Sequence, residues 1–378
     1  MINNAILIVE VVINMRLIKI DKDENIKCNK EIKNYLDPDY IYVPIEDDAN
    51  ILVRNHDEIN LDTILWKKGN KEILSSVSGK IVGLKNMYVN EKLKKCIIIE
   101  NNYREDGVIK KSKRKIDSIT KEDFIHIINK YTNISEDFNS NNLIVSAIDY
   151  EVYEMVLSKL TSNYADEILD TIDAIIKILD IKKCLLVIKD NDSDNVISLL
   201  NLIGTYPNIN LKLMPDLYPI GNKSILTREL VGKEKTIFLD VSDILNILNI
   251  LRKGKPLNYK YITISGNKLN KTAVLKVKLG TSIQEIIDNT FKIPDDDYHL
   301  VVNGLLSGYE LNSLDTIITE EIRSIFITNV ITDKETKCLN CGLCVKHCPV
   351  GANPRTGYKM DKCIKCGLCR YVCPANRR

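Results

Sequence analysis

The chain has 378 residues, room for two to four domains, with 44% hydrophobic and 28% charged residues, the proportions of a globular protein with sizeable cores. Its 53 basic and 51 acidic side chains leave a formal charge of +2, so no overall basicity announces a nucleic-acid or membrane-surface partner. The apolar opening is interrupted by Glu10 and Arg16, which leaves it short of the ~18–20 apolar residues of a membrane span. It also lacks the basic n-region and small-residue cleavage site of a secretion signal. Met15 offers an alternative translation start, with residues 1–14 upstream of it, and residues 1–39 read as an N-terminal extension.

Residues 40–102 read as short strands: 41–44, 51–53, 63–66, 75–84 and 94–100 are β-rich runs separated by polar turns. The stretches 53–59 and 76–82 resemble the two signature stretches of a barrel-sandwich hybrid, as in lipoyl and biotinyl domains, with His56-Asp57 where that family turns on Gly-Asp. No lysine stands at a modifiable hairpin tip, so the fold is expected without a prosthetic group and His56 as a turn residue rather than a ligand. Residues 103–140 form a charged linker and a helix. The basic block at 110–115 reads as solvated linker, and Thr120 with Asp123 resembles a capping box opening a helix over 121–131.

In residues 141–258 the period alternates. Near-continuous apolar runs at 142–148, 184–190, 210–215 and 236–241 read as strands, separated by helical periodicity over 151–179, 194–204, 227–232 and 242–252. Alternation of this kind predicts a largely parallel sheet covered on both faces. Residues 259–330 are smaller: strands at 261–265 and 273–280, a helix over 282–289 and a strand at 299–304, a pattern like a ubiquitin-type β-grasp. The acidic turn Pro294-Asp295-Asp296-Asp297 lacks further carboxylates at calcium-loop spacing and reads as solvated.

The last stretch, 331–378, carries the chemistry. Cys338, Cys341, Cys344 and Cys348-Pro349 follow the spacing C-x2-C-x2-C-x3-C-P, and Cys363, Cys366, Cys369 and Cys373-Pro374 repeat it. Bacterial two-cluster ferredoxins use this run, the fourth cysteine of each ligating the other cluster. The expected ligand sets are therefore Cys338, Cys341, Cys344 and Cys373 for one [4Fe–4S] cluster, and Cys363, Cys366, Cys369 and Cys348 for the second. A cubane needs four soft thiolates, and x2 loops bring three of them to one cube. Gly342 and Gly367 let each loop turn tightly. A zinc ribbon would use two CxxC pairs, and a secreted disulfide framework would not duplicate this spacing. Cys28, Cys96 and Cys184 stand alone and read as small buried hydrophobes. So many thiols point to a reducing, cytoplasmic and anaerobic setting. The histidines, His56, His126, His299 and His347, are scattered and make no nucleophilic triad.

Taken in order, the chain reads as a multidomain α/β and α+β protein: barrel-sandwich hybrid, α/β layer, β-grasp unit, two-cluster ferredoxin domain. This order resembles the RnfC family of the Rnf complex and its relative, the proline-reductase-associated electron-transfer protein of clostridia. The α/β and β-grasp (SLBB-like) parts also resemble the flavoprotein subunit of complex I. Besides the cysteines, 76–82, the run Asp216-Leu217-Tyr218-Pro219-Ile220-Gly221-Asn222-Lys223, and 254–257 with 262–266 carry the resemblance. It implies an FMN and NADH site, but the segments that would form it depart from the family. Gly107 is the single glycine where a glycine-rich loop should lie, 146–153 has lost its proline, and Asp240-Val241-Ser242-Asp243 replaces an N-V-E-T segment. The pocket is therefore expected to be lost, with no FMN held, Asp149 and Glu151 solvated, and Tyr218, Pro219 and Gly221 forming either a remnant pocket or a plain turn.

The function expected is a one-electron relay between a donor and a partner oxidoreductase, such as an amino-acid reductase or an Rnf-type complex, free in the cytoplasm or peripheral on the cytoplasmic face of the membrane. Nine basic side chains between Lys337 and Arg378, against the one aspartate Asp361, suit an acidic protein partner. Two other readings stay open: an FMN-dependent NADH oxidoreductase subunit, and an assembly subunit whose clusters never cycle.

Overall fold

The computed structural model describes residues 16–22, 26, 28–69, 71–104, 119–269, 272–291, 298–311, 313–329 and 335–377. Residues 1–14, Gly107, the basic block at 110–115 and the turn at 294–297 lie outside the described residues.

After β1 (Cys28–Tyr35), the strands β2 (Tyr40–Pro44), β3 (Asn50–Ile51), β4 (Glu58–Ile59), β5 (Ile64–Lys68), β6 (Lys71–Leu74), β7 (Gly79–Val89) and β8 (Lys92–Asn101) follow one another closely. They form two antiparallel sheets, ordered β2-β8-β7-β4 and β3-β5-β6. Ile41, Leu65, Trp66, Ile81, Ile97 and Ile99 fill the space between them. The Trp66 indole, too polar to bury unpaired, donates to the Pro44 carbonyl at 3.0 Å. His56 takes φ 72°, the left-handed conformation that glycine adopts freely at such a turn.

The α/β layer runs α1 (Lys121–Tyr131), β9 (Asn142–Ser146), α2 (Val156–Asn163), α3 (Ala165–Leu179), β10 (Lys183–Lys189), α4 (Ser193–Leu202), β11 (Ile209–Met214), α5 (Lys223–Val231), β12 (Ile237–Asp240) and α6 (Val241–Lys253). All neighbouring strands in the order β11-β10-β9-β12 are parallel. Alternate residues serve opposite faces: Leu143, Val145, Leu186 and Ile188 join the core under α3 and α6, while Ile144 and Val187 join a second core with Ile225 and Leu226 of α5. Thr120 caps α1, accepting from the Asp123 amide at 3.1 Å. The expected helix over 151–179 is two helices meeting at Tyr164, with 151–155 left out of both. Long-range hydrogen bonds of Asp149 and Glu151, described below, hold that entry segment instead.

The next unit comprises β13 (Tyr259–Ser265), β14 (Thr272–Lys278), α7 (Ile283–Thr290), β15 (His299–Val302), β16 (Tyr309–Glu310) and β17 (Ser324–Thr328). Its sheet is ordered β1-β14-β13-β17-β15-β16, with β13 and β17 parallel at the centre. Three of these strands, β1, the two-residue β16 and β17, lie outside the sequence expectation. β17 is a five-residue run buried throughout, too short to show a period. β1, expected outside the domains, is polar and pairs along one edge only, parallel to β14. The chain then enters the cysteine-rich end, which contains the short helices α8 (Leu343–Lys346) and α9 (Leu368–Tyr371).

Candidate cluster sites and the strand-end pocket

The two cysteine runs fold alike. Asn340 and Lys365, each just before the second cysteine of its run, take φ 54° and 53°, and Gly342 and Gly367, each just after it, take 74° and 73° and open α8 and α9. Such left-handed turns aim successive amides inward, toward sulfur. The Ala352 amide donates to Cys348 Sγ at 3.2 Å and the Lys365 amide to Cys363 Sγ at 3.4 Å. Cys338 and Cys341 are exposed, and the other six cysteines of the runs are partly covered.

Cys348, from the first run, lies within electrostatic reach of the second. Burial first, then negative charge on Cys369, Cys348 and Cys363, push the Cys366 thiol up to about 11. Cys369 is raised by burial and then by charge on Cys363, Cys348 and Cys344. Among the described residues no three His, Cys, Asp or Glu side chains close on a single metal ion. Four thiolates spread around a cubane are a wider arrangement, and the soft all-sulfur donor set suits iron–sulfur clusters. Cys96 and Cys184 are buried away from these runs, their thiols pushed up to about 11 and about 12 by burial. The Cys28 side chain lies outside the described residues.

The cysteine-rich end is docked on the carboxyl edge of the parallel sheet. The Tyr218 hydroxyl meets the Cys366 carbonyl at 2.7 Å, the Arg228 guanidinium donates to the Pro349 carbonyl at 3.1 Å, and Arg16 donates to the Val345 carbonyl at 2.8 Å. Leu368 is fully buried with Ile20 and Tyr218, while Val350 and Ile364 pack on the core beneath α5. A Cβ on Gly367 would sit 2.0 Å from the Leu306 carbonyl oxygen, so glycine there permits contact with the β15–β16 loop.

Beside this junction lies a cavity of about 20 Å³, lined by Ile20, Lys22, Asp149–Val152, Lys189, Asp216–Tyr218, Ile220 and Gly221. It sits past the ends of β9, β10 and β11, where open parallel sheets hold ligands, but has room for about one water. Residues 16–22 form one wall of it as a strap. Ile18 pairs with Tyr218 through two backbone bonds of 3.2 and 2.8 Å, Ile20 is buried, and Lys22 reaches Asp216 at 3.2 Å. Sequence reasoning missed this strap, whose trace is the short apolar–polar alternation of Ile18 to Asp21.

The carboxylates expected to be solvated are buried. Asp149 accepts from the Leu157 amide at 2.7 Å and the Ser158 amide at 3.2 Å, so it caps α2 from a distance, and burial pushes its carboxyl up to about 6 against those bonds. Glu151, 2% exposed, accepts from the Ser307 amide and meets the Tyr218 hydroxyl, both at 2.8 Å. Burial raises its carboxyl despite those partners. Burial acts on Asp216 too, but Lys189 at 2.8 Å and Lys22 outweigh it and hold its carboxyl below the usual range. Tyr218 and Gly221 line this pocket while Pro219 between them does not, and Gly221 is obligatory, since a Cβ would lie 2.4 Å from the Asp149 carbonyl oxygen. The degenerate Asp240–Asp243 segment is a capping box: each aspartate accepts from the other's amide, at 2.9 and 3.0 Å, to open α6.

Comparison with known proteins places these parts. The profile of the Nuo51 FMN-binding domain matches residues 125–244, and that of the 4Fe-4S binding domain matches 331–352 and 358–376. The C subunit of the ion-translocating oxidoreductase complex of Serratia proteamaculans (strain 568) is 27% identical over 230 residues, covering 57% of this chain and 33% of that protein. Its counterpart in Yersinia enterocolitica is 26% identical over the same shares. The chain thus spans about a third of the length of the curated relatives it matches. Two structures of an NAD+-reducing [NiFe]-hydrogenase, air-oxidised and H2-reduced, superpose with TM-scores of 0.41 and 0.44 at 13% and 11% identity. They cover 50% and 57% of this chain and 40% and 47% of theirs. Among the described residues no helix is long and apolar enough to cross a membrane. The chain is therefore RnfC-like: a relative of the C subunits of ion-translocating oxidoreductase complexes, with a Nuo51-type domain followed by a 4Fe-4S binding domain at its C-terminal end.

Proposed function

We propose that this chain is an electron-transfer subunit that relays single electrons between protein partners through two [4Fe–4S] clusters. Cys338, Cys341, Cys344 and Cys373 hold the first, and Cys363, Cys366, Cys369 and Cys348 the second. The observation that carries this reading is the duplicated C-x2-C-x2-C-x3-C-P spacing inside the stretch that matches a 4Fe-4S binding domain, and charge on Cys348 of the first run acting on Cys366 and Cys369 of the second supports the crossed ligand sets. When bound, the clusters supply the one-electron chemistry. The chain's own groups hold thiolates in place, direct amides at Cys348 and Cys363, and surround the site with basic side chains that offset the clusters' negative charge.

The test is a set of Cys→Ser variants purified anaerobically, with iron counted and the reduced protein examined by electron paramagnetic resonance. Wild type should hold about eight irons per chain. Cys373→Ser should lose the same signal as Cys338→Ser, and Cys348→Ser the same signal as Cys363→Ser. Loss of the Cys338 signal in Cys348→Ser would overturn the crossed ligand sets, and clusters that cannot be reduced would overturn the relay in favour of a structural role.

The finer architecture supports the same reading. The two sheets of residues 40–102 suit a barrel-sandwich hybrid, and the order β14-β13-β17-β15-β16 with its parallel centre suits a β-grasp in residues 259–330. The α/β domain, residues 141–258, is read as having given up FMN: its strand-end cavity has room for about one water and its carboxylates are bonded internally. The match to an FMN-binding domain favours a second reading, an FMN-dependent NADH oxidoreductase subunit. Flavin fluorescence after heat release separates the two, since about one flavin per chain would favour the second. The partner, an amino-acid reductase or a membrane complex carrying this chain on its cytoplasmic face, would be named by anaerobic copurification.

A further inference from the structure

The two ends of the iron–sulfur unit are covered differently. The second run faces the scaffold through Cys366, Gly367 and Leu368, against Tyr218, Leu306 and Ile20. The opening of the first run faces outward, while Val345 and Pro349 further along it meet Arg16 and Arg228. Cys338 and Cys341 are exposed, and Leu339 between them is 65% exposed. Arg355 Nη2 donates to Asn340 Oδ1 at 2.5 Å and so fastens the turn at 353–358 to this loop. The turn is closed by the Tyr358 carbonyl, which accepts from the Asn353 amide at 2.8 Å. It presents Tyr358, 60% exposed, with the Lys359 ammonium 5.1 Å from its ring and Met360, 41% exposed, alongside. Lys337 and Lys362 are exposed nearby in sequence. Solitary exposed apolar side chains are ordinary, but a group of them joined to exposed ligand cysteines and edged by cations is a contact surface.

We propose that this face, centred on Leu339 and Tyr358, is the port at which an acidic electron-transfer protein docks, with an apolar centre ringed by carboxylates. The first cluster is then the outer one and the second the inner, a polarity that rests on the ligand sets given under Proposed function. In the transfer, one electron leaves the reduced first cluster and enters the partner's oxidised centre. No bond forms or breaks, and no proton is required. Apolar anchors set the contact and the cations Arg355, Lys359 and Lys337 steer the approach.

The port is tested on the full, dithionite-reduced holoprotein by stopped-flow oxidation with two acceptors, acidic flavodoxin and the small dye benzyl viologen. Tyr358→Asp and, separately, Lys359→Glu should each lower the ratio of the flavodoxin rate to the viologen rate, by about tenfold. Lys182→Glu, at the opposite, amino end of β10, should leave that ratio unchanged. A ratio unaltered in both port variants, or lowered equally by Lys182→Glu, would overturn the port while leaving the relay intact. Absence of reducible clusters by paramagnetic resonance would overturn the relay and the port with it. Wild type, but not Lys359→Glu, sedimenting with phosphatidylglycerol vesicles at an unaltered ratio would assign the face to lipid and reject the protein partner.

Discussion

Tyr218 holds one hydroxyl proton between two acceptors, the Glu151 carboxyl and the Cys366 carbonyl. The one proton serves a single acceptor at a time, so the hydroxyl donates either to the Glu151 carboxyl or to the Cys366 carbonyl. Burial raises the Glu151 carboxyl, and the bonds from Ser307 and Tyr218 oppose it. Tyr218→Phe leaves two buried polar groups short of a partner, at a cost of about 1–3 kcal/mol. A lower denaturant midpoint, followed by cluster absorbance, is expected, and an unchanged midpoint would contradict the bonding. Asp149 gives a pH prediction. Its folded pKa is raised to about 6 from 3.8, so between about pH 4 and pH 6 the native state binds more protons than the unfolded one. Its contribution is full below pH 4 and lost as pH rises through 6, a change of about 3 kcal/mol. Asp149→Asn still accepts from the α2 amides, and its unfolding free energy should fall less over that window than wild type's. Parallel pH profiles of the two would reject the assignment.

At the scale of elements, the strap 16–22 joins three parts: the strand-end pocket, Tyr218 and, through Arg16, α8 of the cysteine-rich end. Its backbone pairing protects the Tyr218 amide, which donates to Ile18 at 2.8 Å. A variant lacking residues 1–22 should exchange that amide faster, seen by hydrogen–deuterium exchange in a peptide spanning 214–222, while β10, interior to its sheet, keeps its protection. Equal exchange with and without the strap would mean that it contributes nothing to the wall of the pocket. The β1 strand acts similarly at the far edge, where chain from the amino end completes a sheet whose other strands come from residues 259–328.

At the scale of the whole molecule, charge is balanced overall but uneven along the chain. Nine of the cations lie in the last forty-odd residues against Asp361 as the one aspartate there, and the port sits among them. Exposed charges of this kind act on encounter rate and are screened over ~8–10 Å at physiological salt. Electron transfer to an acidic partner should therefore slow as salt is raised from about 0.01 to 1 M, a range over which the screening length falls about tenfold. A rate indifferent to salt would count against electrostatic docking.

What the sequence alone determined is local. The duplicated cysteine spacing, the strand–helix alternation of the α/β layer and the Thr120 cap each depend on residues within a few positions of one another, and spacing reveals them. What only the tertiary structure decided is long-range. Asp149 and Glu151 looked like solvated strand-end acids because their partners are remote: Tyr218 lies 67 residues from Glu151, and Ser307 lies 156. The inward turn of the second cysteine run depends on Tyr218, 148 residues before Cys366, and the strap reaches Val345 across 329 residues. No periodicity encodes such meetings. They arise when packed layers bring their loops to one edge of the sheet, and there buried polar groups must find partners whatever their distance along the chain.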